Sequence, residues 1–91
     1  MDEQSLALIF KAISDKSRVN ILKQLAEGEK CANDLLAALS IGQPTLSHHM
    51  QILCKSGLVK CRKDGKWVRY ILNPENLKKI QIFVDTLLVN E

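Results

Sequence analysis

The hydrophobic spacing of this chain first changes period at Gly57. Ahead of Gly57, apolar side chains recur at the three- and four-residue intervals of amphipathic helices. Beyond it, Leu58-Val59-Lys60-Cys61-Arg62 and Trp67-Val68-Arg69-Tyr70-Ile71-Leu72 read as two strands rich in β-branched and aromatic residues. Lys63-Asp64-Gly65-Lys66 joins them as a hairpin turn, because Asp-Gly tolerates the backbone angles that match the twist of paired strands. Short helices followed by one hairpin leave few ways to close a core.

The helical part divides at its punctuation. Leu6, Ile9, Phe10 and Ile13 mark one face of a first helix. Asp15 is placed to cap a second, whose apolar face is Val19, Ile21, Leu22 and Leu25 and which Gly28 ends. A third, short helix is expected from about Cys31 to Leu39, with Leu35, Leu36 and Leu39 inward. After the tight connection Ser40-Ile41-Gly42, a fourth starts near Gln43, with Pro44 in the first turn where a missing N–H does no harm. Leu46, His49, Met50 and Leu53 form its inner stripe, and Gly57 is its left-handed cap. Asn73-Pro74 opens a last helix over about 75–90. The order is α-α-α-α-β-β-α: mostly α with a small β-hairpin, a winged helix-turn-helix. With 91 residues and no linker, positions 1–91 form a single domain. A domain this small is stabilised by association, so a dimer is expected.

Charge is distributed unevenly. Residues 43–72 carry Lys55, Lys60, Arg62, Lys63, Lys66 and Arg69 against Asp64 alone, whereas the segments on either side are slightly acidic. A basic third of a chain is the footprint of a polyanion-binding face. On a wheel of the fourth helix, the face opposite the apolar stripe carries Pro44, His48, Gln51 and Lys55, flanked by Thr45 and Ser47. Hydroxyls, an imidazole and an amide suit base edges in the major groove. Gln43, Thr45 and Ser47 lie near the helix N-terminus, which favours phosphate. The candidate DNA contacts are therefore Gln43, Thr45, Ser47, His48, Gln51 and Lys55 on the helix (43–55) and Lys63, Lys66 and Arg69 on the wing (58–72), with Arg62 in support. His48 points outward; His49, on the apolar stripe, is expected to be packed and hydrogen-bonded. Trp67 and Tyr70 are expected to pack the wing, since single-strand binding by stacking needs more exposed aromatics.

These segments carry a family resemblance. Ala12-Ile13-Ser14-Asp15-Lys16-Ser17-Arg18 with Ile21-Leu22 resembles the second-helix signature of the ArsR/SmtB repressors. Gln43-Pro44-Thr45-Leu46-Ser47-His48-His49-Met50, with Leu53 and Ser56-Gly57-Leu58-Val59, resembles their recognition helix; Lys63 to Tyr70 resembles their wing. Lys16 stands where that family often has Pro, and Gly42 where it often has a capping Ser. The resemblance implies a transcriptional repressor on an operator, and a homodimer built on the first and last helices. The last helix agrees independently, with more apolar surface than one face needs. The expected dimer contacts are Leu6, Ile9, Phe10, Ile80, Phe83, Val84 and Leu87. A two-fold dimer reads an inverted repeat.

The resemblance also raises the question of an inducer. Arsenite-responsive members carry Cys-x-Cys at the start of the third helix; here Cys31 matches the first thiol and Asn33 replaces the second. Cys31, beside Asp34, is thus a candidate ligand for arsenite or another thiophilic ion. The zinc-type site of other members needs His on the last helix, which has Asp85 but no His. Cys54 and Cys61 are a second candidate, as thiophilic ligands or a redox switch. Three alternatives stay open: a thiophilic ion, thiol oxidation, or no effector. No cofactor is required.

Other classes fit less well. There is no nucleophile–base set, Gly-rich phosphate loop or acid/base carboxylate pair, so neither enzyme activity nor a small-molecule substrate is expected. No apolar run could span a bilayer, and the acidic start Met1-Asp2-Glu3-Gln4 is unlike a secretory leader. A cytoplasmic location with reduced cysteines is expected. A winged helix can also bind RNA or protein. The donor-rich face of the fourth helix favours duplex DNA, where those partners would call for an apolar or aromatic one.

Overall fold

Asp2 and Asp15 each sit in extended backbone one residue ahead of a helix. Their carboxylates accept the N–H of Ser5 at 2.8 Å and of Arg18 at 3.1 Å. These bonds fix the starts of α1 (Glu3–Ile13) and α2 (Lys16–Leu25). In this computed structural model, which describes residues 1–89, there follow β1 (Lys30–Cys31), α3 (Ala32–Leu39), α4 (Gln43–Ser56), β2 (Val59–Asp64), β3 (Trp67–Leu72) and α5 (Pro74–Val89). The last residue of the expected final helix, at 90, lies outside the described residues.

The helices meet around Ile9, Ala12, Ile21, Leu25, Leu35, Leu46, Met50 and Leu53, and Leu58 and Val59 complete the core where the chain turns into β2. Each such leucine or isoleucine stabilises the fold by about 1.5–3 kcal/mol through burial. Ile9 was expected at the partner surface, but it is fully buried within the protomer. The α1 stripe is wider than one face, and Ile9 lies beside Ala12 on its inner edge.

Gly57 has φ +86°, and a Cβ there would lie 2.6 Å from the Asn76 amide. Asn76 in turn donates to the Gly57 carbonyl at 2.9 Å, tying α5 to the end of α4. The buried Ser56 hydroxyl donates to the Leu53 carbonyl and accepts from the Leu58 N–H, so the switch from helix to strand leaves few backbone groups unpaired.

The sheet has a strand that spacing did not mark. Lys30 and Cys31 pair antiparallel with Tyr70 and Arg69, giving the order β1-β3-β2. A two-residue strand carries no periodicity; its N–H and C=O groups complete the free edge of β3. Cys31 consequently leaves the third helix and becomes its N-cap. The fold class itself is the winged helix-turn-helix that the pattern predicted. No helix among the described residues is long and apolar enough to cross a membrane.

Candidate nucleic-acid interface

Leu46, Met50 and Leu53 anchor α4 from within, so its other face is fixed outward. Gln43, Thr45, Ser47, His48, Gln51 and Lys55 are all exposed on it. The cap residue Gly42 has no side chain to accept the first N–H groups, and none is capped by a side chain. The amides of the first turn are therefore free to donate to an anion.

A polar clamp sets the tilt of this helix. Arg18, from α2, donates through Nε to the Ala12 carbonyl at the end of α1 (2.7 Å). Its Nη1 lies 3.1 Å from Nδ1 of His49 on α4. A guanidinium can only donate, so Nδ1 accepts and the ring proton resides on Nε2. Asp15 stands 4.0 Å from the same ring nitrogen, and the Arg18 backbone N–H holds its carboxyl below the usual carboxylate range. Three helices thus meet at one guanidinium. His49 is packed and hydrogen-bonded, as its place on the stripe implies, while His48 is free. The sequence marked Arg18 only as part of the second-helix signature and not its pairing with His49, because an isolated Arg–His pair across two helices has no spacing signature.

The wing presents its charge selectively. In the β2–β3 register, Lys63 faces Val68 and Asp64 faces Trp67, which places Lys63 and Lys66 at the tip. Among the described residues, neither lysine is ion-paired. Arg69 and Arg62 differ from them. Arg69 lies 3.6 Å from Asp64 and 4.0 Å from Glu29, and Arg62 lies 3.3 Å from Glu29. Arg69 was expected among the DNA contacts, but the structure places it half-buried in this ion-pair group on the outer sheet face. Glu29 was not singled out, since its partners are more than thirty positions away in sequence. Lys66 and Gln43 line one cleft of about 270 Å³ between the wing tip and the start of α4, floored by Ala32 and Trp67. Trp67 remains 43% exposed there, whereas Tyr70 packs against the core.

The candidate metal position is poorer than the sequence suggested. The backbone N–H of Cys31 donates to the Asp34 carboxylate at 3.1 Å, and hydrogen bonding from the Cys31 side chain, then from its backbone, lowers the Asp34 pKa. Both groups are engaged in starting α3. No cluster of three His, Cys, Asp or Glu side chains occurs among the described residues. Cys31 pairs with Arg69, whereas Cys61 pairs with the next residue, Tyr70. Neighbouring strand residues face opposite ways, so the sheet separates the two thiols. Cys31 gains no second thiol, and this stretch does not fit a thiophilic ion.

Of the expected dimer contacts, Phe10, Val84 and Leu87 are exposed and Leu6, Ile80 and Phe83 half-buried. None of the described α5 side chains is fully buried. The Phe10 and Phe83 rings meet at 5.9 Å, which joins α1 to α5, and Ile82, Leu88 and Val89 of α5 are exposed as well.

Residues 15–60 match the family model described as bacterial regulatory protein, arsR family. The chain is 45% identical over 85 residues to an uncharacterized HTH-type transcriptional regulator of Methanocaldococcus jannaschii, covering 92% of this chain and 96% of that one. It is also 45% identical over 87 residues to an arsenical resistance operon repressor of Staphylococcus xylosus, covering 96% of this chain and 84% of that one. Among solved structures it resembles a homodimeric winged helix-turn-helix DNA-binding domain from Mycobacterium bovis. That match has a TM-score of 0.77 at 27% identity and covers 93% of this chain and 79% of that one.

Proposed function

Because the chain belongs to the arsR family of bacterial regulatory proteins, we propose that it is a homodimeric repressor that reads an inverted repeat with α4 and grips the flanking backbone with its wing. Its relatives are transcriptional regulators, and it is a regulator rather than an enzyme. The observation that carries the finer reading is the continuity of one surface. Gln43 at the start of α4 and Lys66 at the wing tip line a single cleft, and the rest of the polar face of α4 and Lys63 are exposed alongside. In this reading His48 and Gln51 face base edges, Gln43, Thr45 and Ser47 meet phosphates, and Lys55, Lys63 and Lys66 add charge. The whole chain works as one domain in the cytoplasm. Its two-fold axis sets half-sites about one helical turn apart, roughly 34–36 Å. The Staphylococcus xylosus relative is an arsenical resistance operon repressor, which favours release by arsenite over redox control or the absence of an effector.

The test is fluorescence anisotropy with duplex from upstream of the protein's own gene, competed by RNA at equal salt. Duplex binding that RNA displaces equally well would overturn the reading. Lys66→Ala should weaken binding to all sequences alike and reduce the salt slope by about one unit, as expected when one phosphate is no longer neutralised. His48→Ala should act differently, relaxing preference at one operator position by about 1–3 kcal/mol and leaving the salt slope unchanged. Competition with single-base operator variants distinguishes the two patterns; a reversed result would mean that helix and wing have been assigned the wrong roles.

A further inference from the structure

The end of α4 and the first wing strand each contribute a thiol to one cavity. It measures about 250 Å³ and is lined by Ser47, Met50, Gln51, Cys54, Cys61 and Tyr70. Cys61 and Tyr70 are direct cross-strand partners, so both project from the sheet face that meets α4. Cys54, half-buried, faces them from the helix. The two thiols are near enough that charge on Cys61 opposes ionisation of Cys54. The cavity is several times the roughly 30 Å³ occupied by one water, so a small solute fits in it beside the two thiols.

We propose that Cys54 and Cys61 form a dithiol receptor for arsenous acid, which on capture bridges the reading helix to the wing and loosens the grip on DNA. The release half of this proposal rests on the repressor reading above; the capture half does not. In the capture step, two As–O bonds break and two As–S bonds form. Each thiol proton leaves with a hydroxide as water. Arsenic stays trivalent and retains one hydroxyl, so no electron moves and no oxidant is needed.

The surroundings select this chemistry over its rivals. Burial, reinforced by the neighbouring Cys61, pushes the Cys54 thiol up to about 11. A divalent cation held by the pair needs both groups as thiolates, which burial opposes at Cys54. Condensation of neutral arsenous acid with two thiols places no net charge in the cavity. A divalent ion also needs more ligands than a pair, and no third His, Cys, Asp or Glu joins them among the described residues. Burial, with the two thiols beside it, raises the Tyr70 pKa, so its hydroxyl stays a donor and suits the oxygen that remains on arsenic. Ser47 and Gln51 line the same cavity and stand on the DNA face of α4. An atom bonded beneath them alters the angle between helix and wing.

The experiment titrates the full-length, reduced protein with sodium arsenite. Intact-protein mass spectrometry detects the adduct, and operator anisotropy is followed in parallel. Wild type, Cys31→Ser, Cys54→Ser, Cys61→Ser and the double variant Cys54→Ser/Cys61→Ser are compared, and circular dichroism checks that each is folded. Wild type and Cys31→Ser should take up one arsenic per protomer and lose operator affinity by about tenfold or more, within the usual span of coupling between sites. Each variant lacking Cys54 or Cys61 should lose the adduct and keep its affinity in arsenite. Cys61 is exposed, so Cys61→Ser is the arm least subject to folding defects. No adduct on the wild type, or one that survives in the double variant, overturns the proposal. Capture at these thiols without a change in DNA affinity overturns the release half. Failure to bind DNA even without arsenite, with the adduct intact, overturns the repressor reading and leaves the receptor standing.

Discussion

Val84→Asp combined with Leu87→Asp should yield a folded monomer that binds operator at least about 100-fold more weakly than wild type, the lower end of what linking two half-site contacts contributes. The two residues lie three apart on α5, 42% and 66% exposed. They continue the stripe of Ile80 and Phe83 that runs beside Phe10. Among the described residues, none of the ten buried apolar residues comes from α5, so the charges fall outside the core and a thermal melt should still show a cooperative transition. A two-fold interface sets the same patch against itself, so the substitutions bring four carboxylates together where apolar surface should close. Sedimentation velocity at micromolar concentration gives the answer. A variant that still sediments as a dimer would move the interface away from α5; a wild-type protein that sediments as a monomer would remove the premise.

Leu53→Ala should have the largest effect on stability, about 2–5 kcal/mol. Leu53 is fully buried in the last turn of α4, among the residues that join α1, α2 and β2. Removing three of its carbons leaves a cavity that the surrounding helices can only partly close. For a domain of this size, each kcal/mol corresponds to roughly 4–8 °C in Tm. Urea unfolding at fixed protein concentration should show a lower midpoint with an unchanged slope, the concentration being fixed because dimerisation itself adds stability. A shift below about 1 kcal/mol would mean that α4 is not anchored through this residue.

Local chemistry made most of the fold legible. Asp15 and Gly57 mark their helix ends by the type of cap each can form, and the structure uses both as read. The change of period at Gly57 located the hairpin to within a residue or two. What remained hidden depends on partners distant in sequence. β1 is visible only from the edge of β3 that it completes. The turn before α4 bends at Ser40, with φ +52°, rather than at the glycine two residues on, because the left-handed residue is chosen by the α3 C-cap. The exposed face of α4 was readable because outward positions follow from inward ones. The role of Arg18 was not, since the Ala12 carbonyl and the His49 ring reach it from two other segments. Ile9 shows the converse: a stripe identifies apolar residues without saying which apolar neighbour each will meet.

The ion pairs on the back of the wing bear on how such a protein would search a genome. With Arg62 and Arg69 matched by Glu29 and Asp64, two of the wing's five basic residues are withdrawn from holding arbitrary sequence. Residence on random DNA scales with the counterions displaced, which here come chiefly from Lys55, Lys63 and Lys66 in each subunit. Scanning should then proceed by short, easily broken encounters. A dimer with so light a hold would dwell only where α4 finds its bases, and a low copy number could keep one promoter occupied without being diluted over the rest of the chromosome.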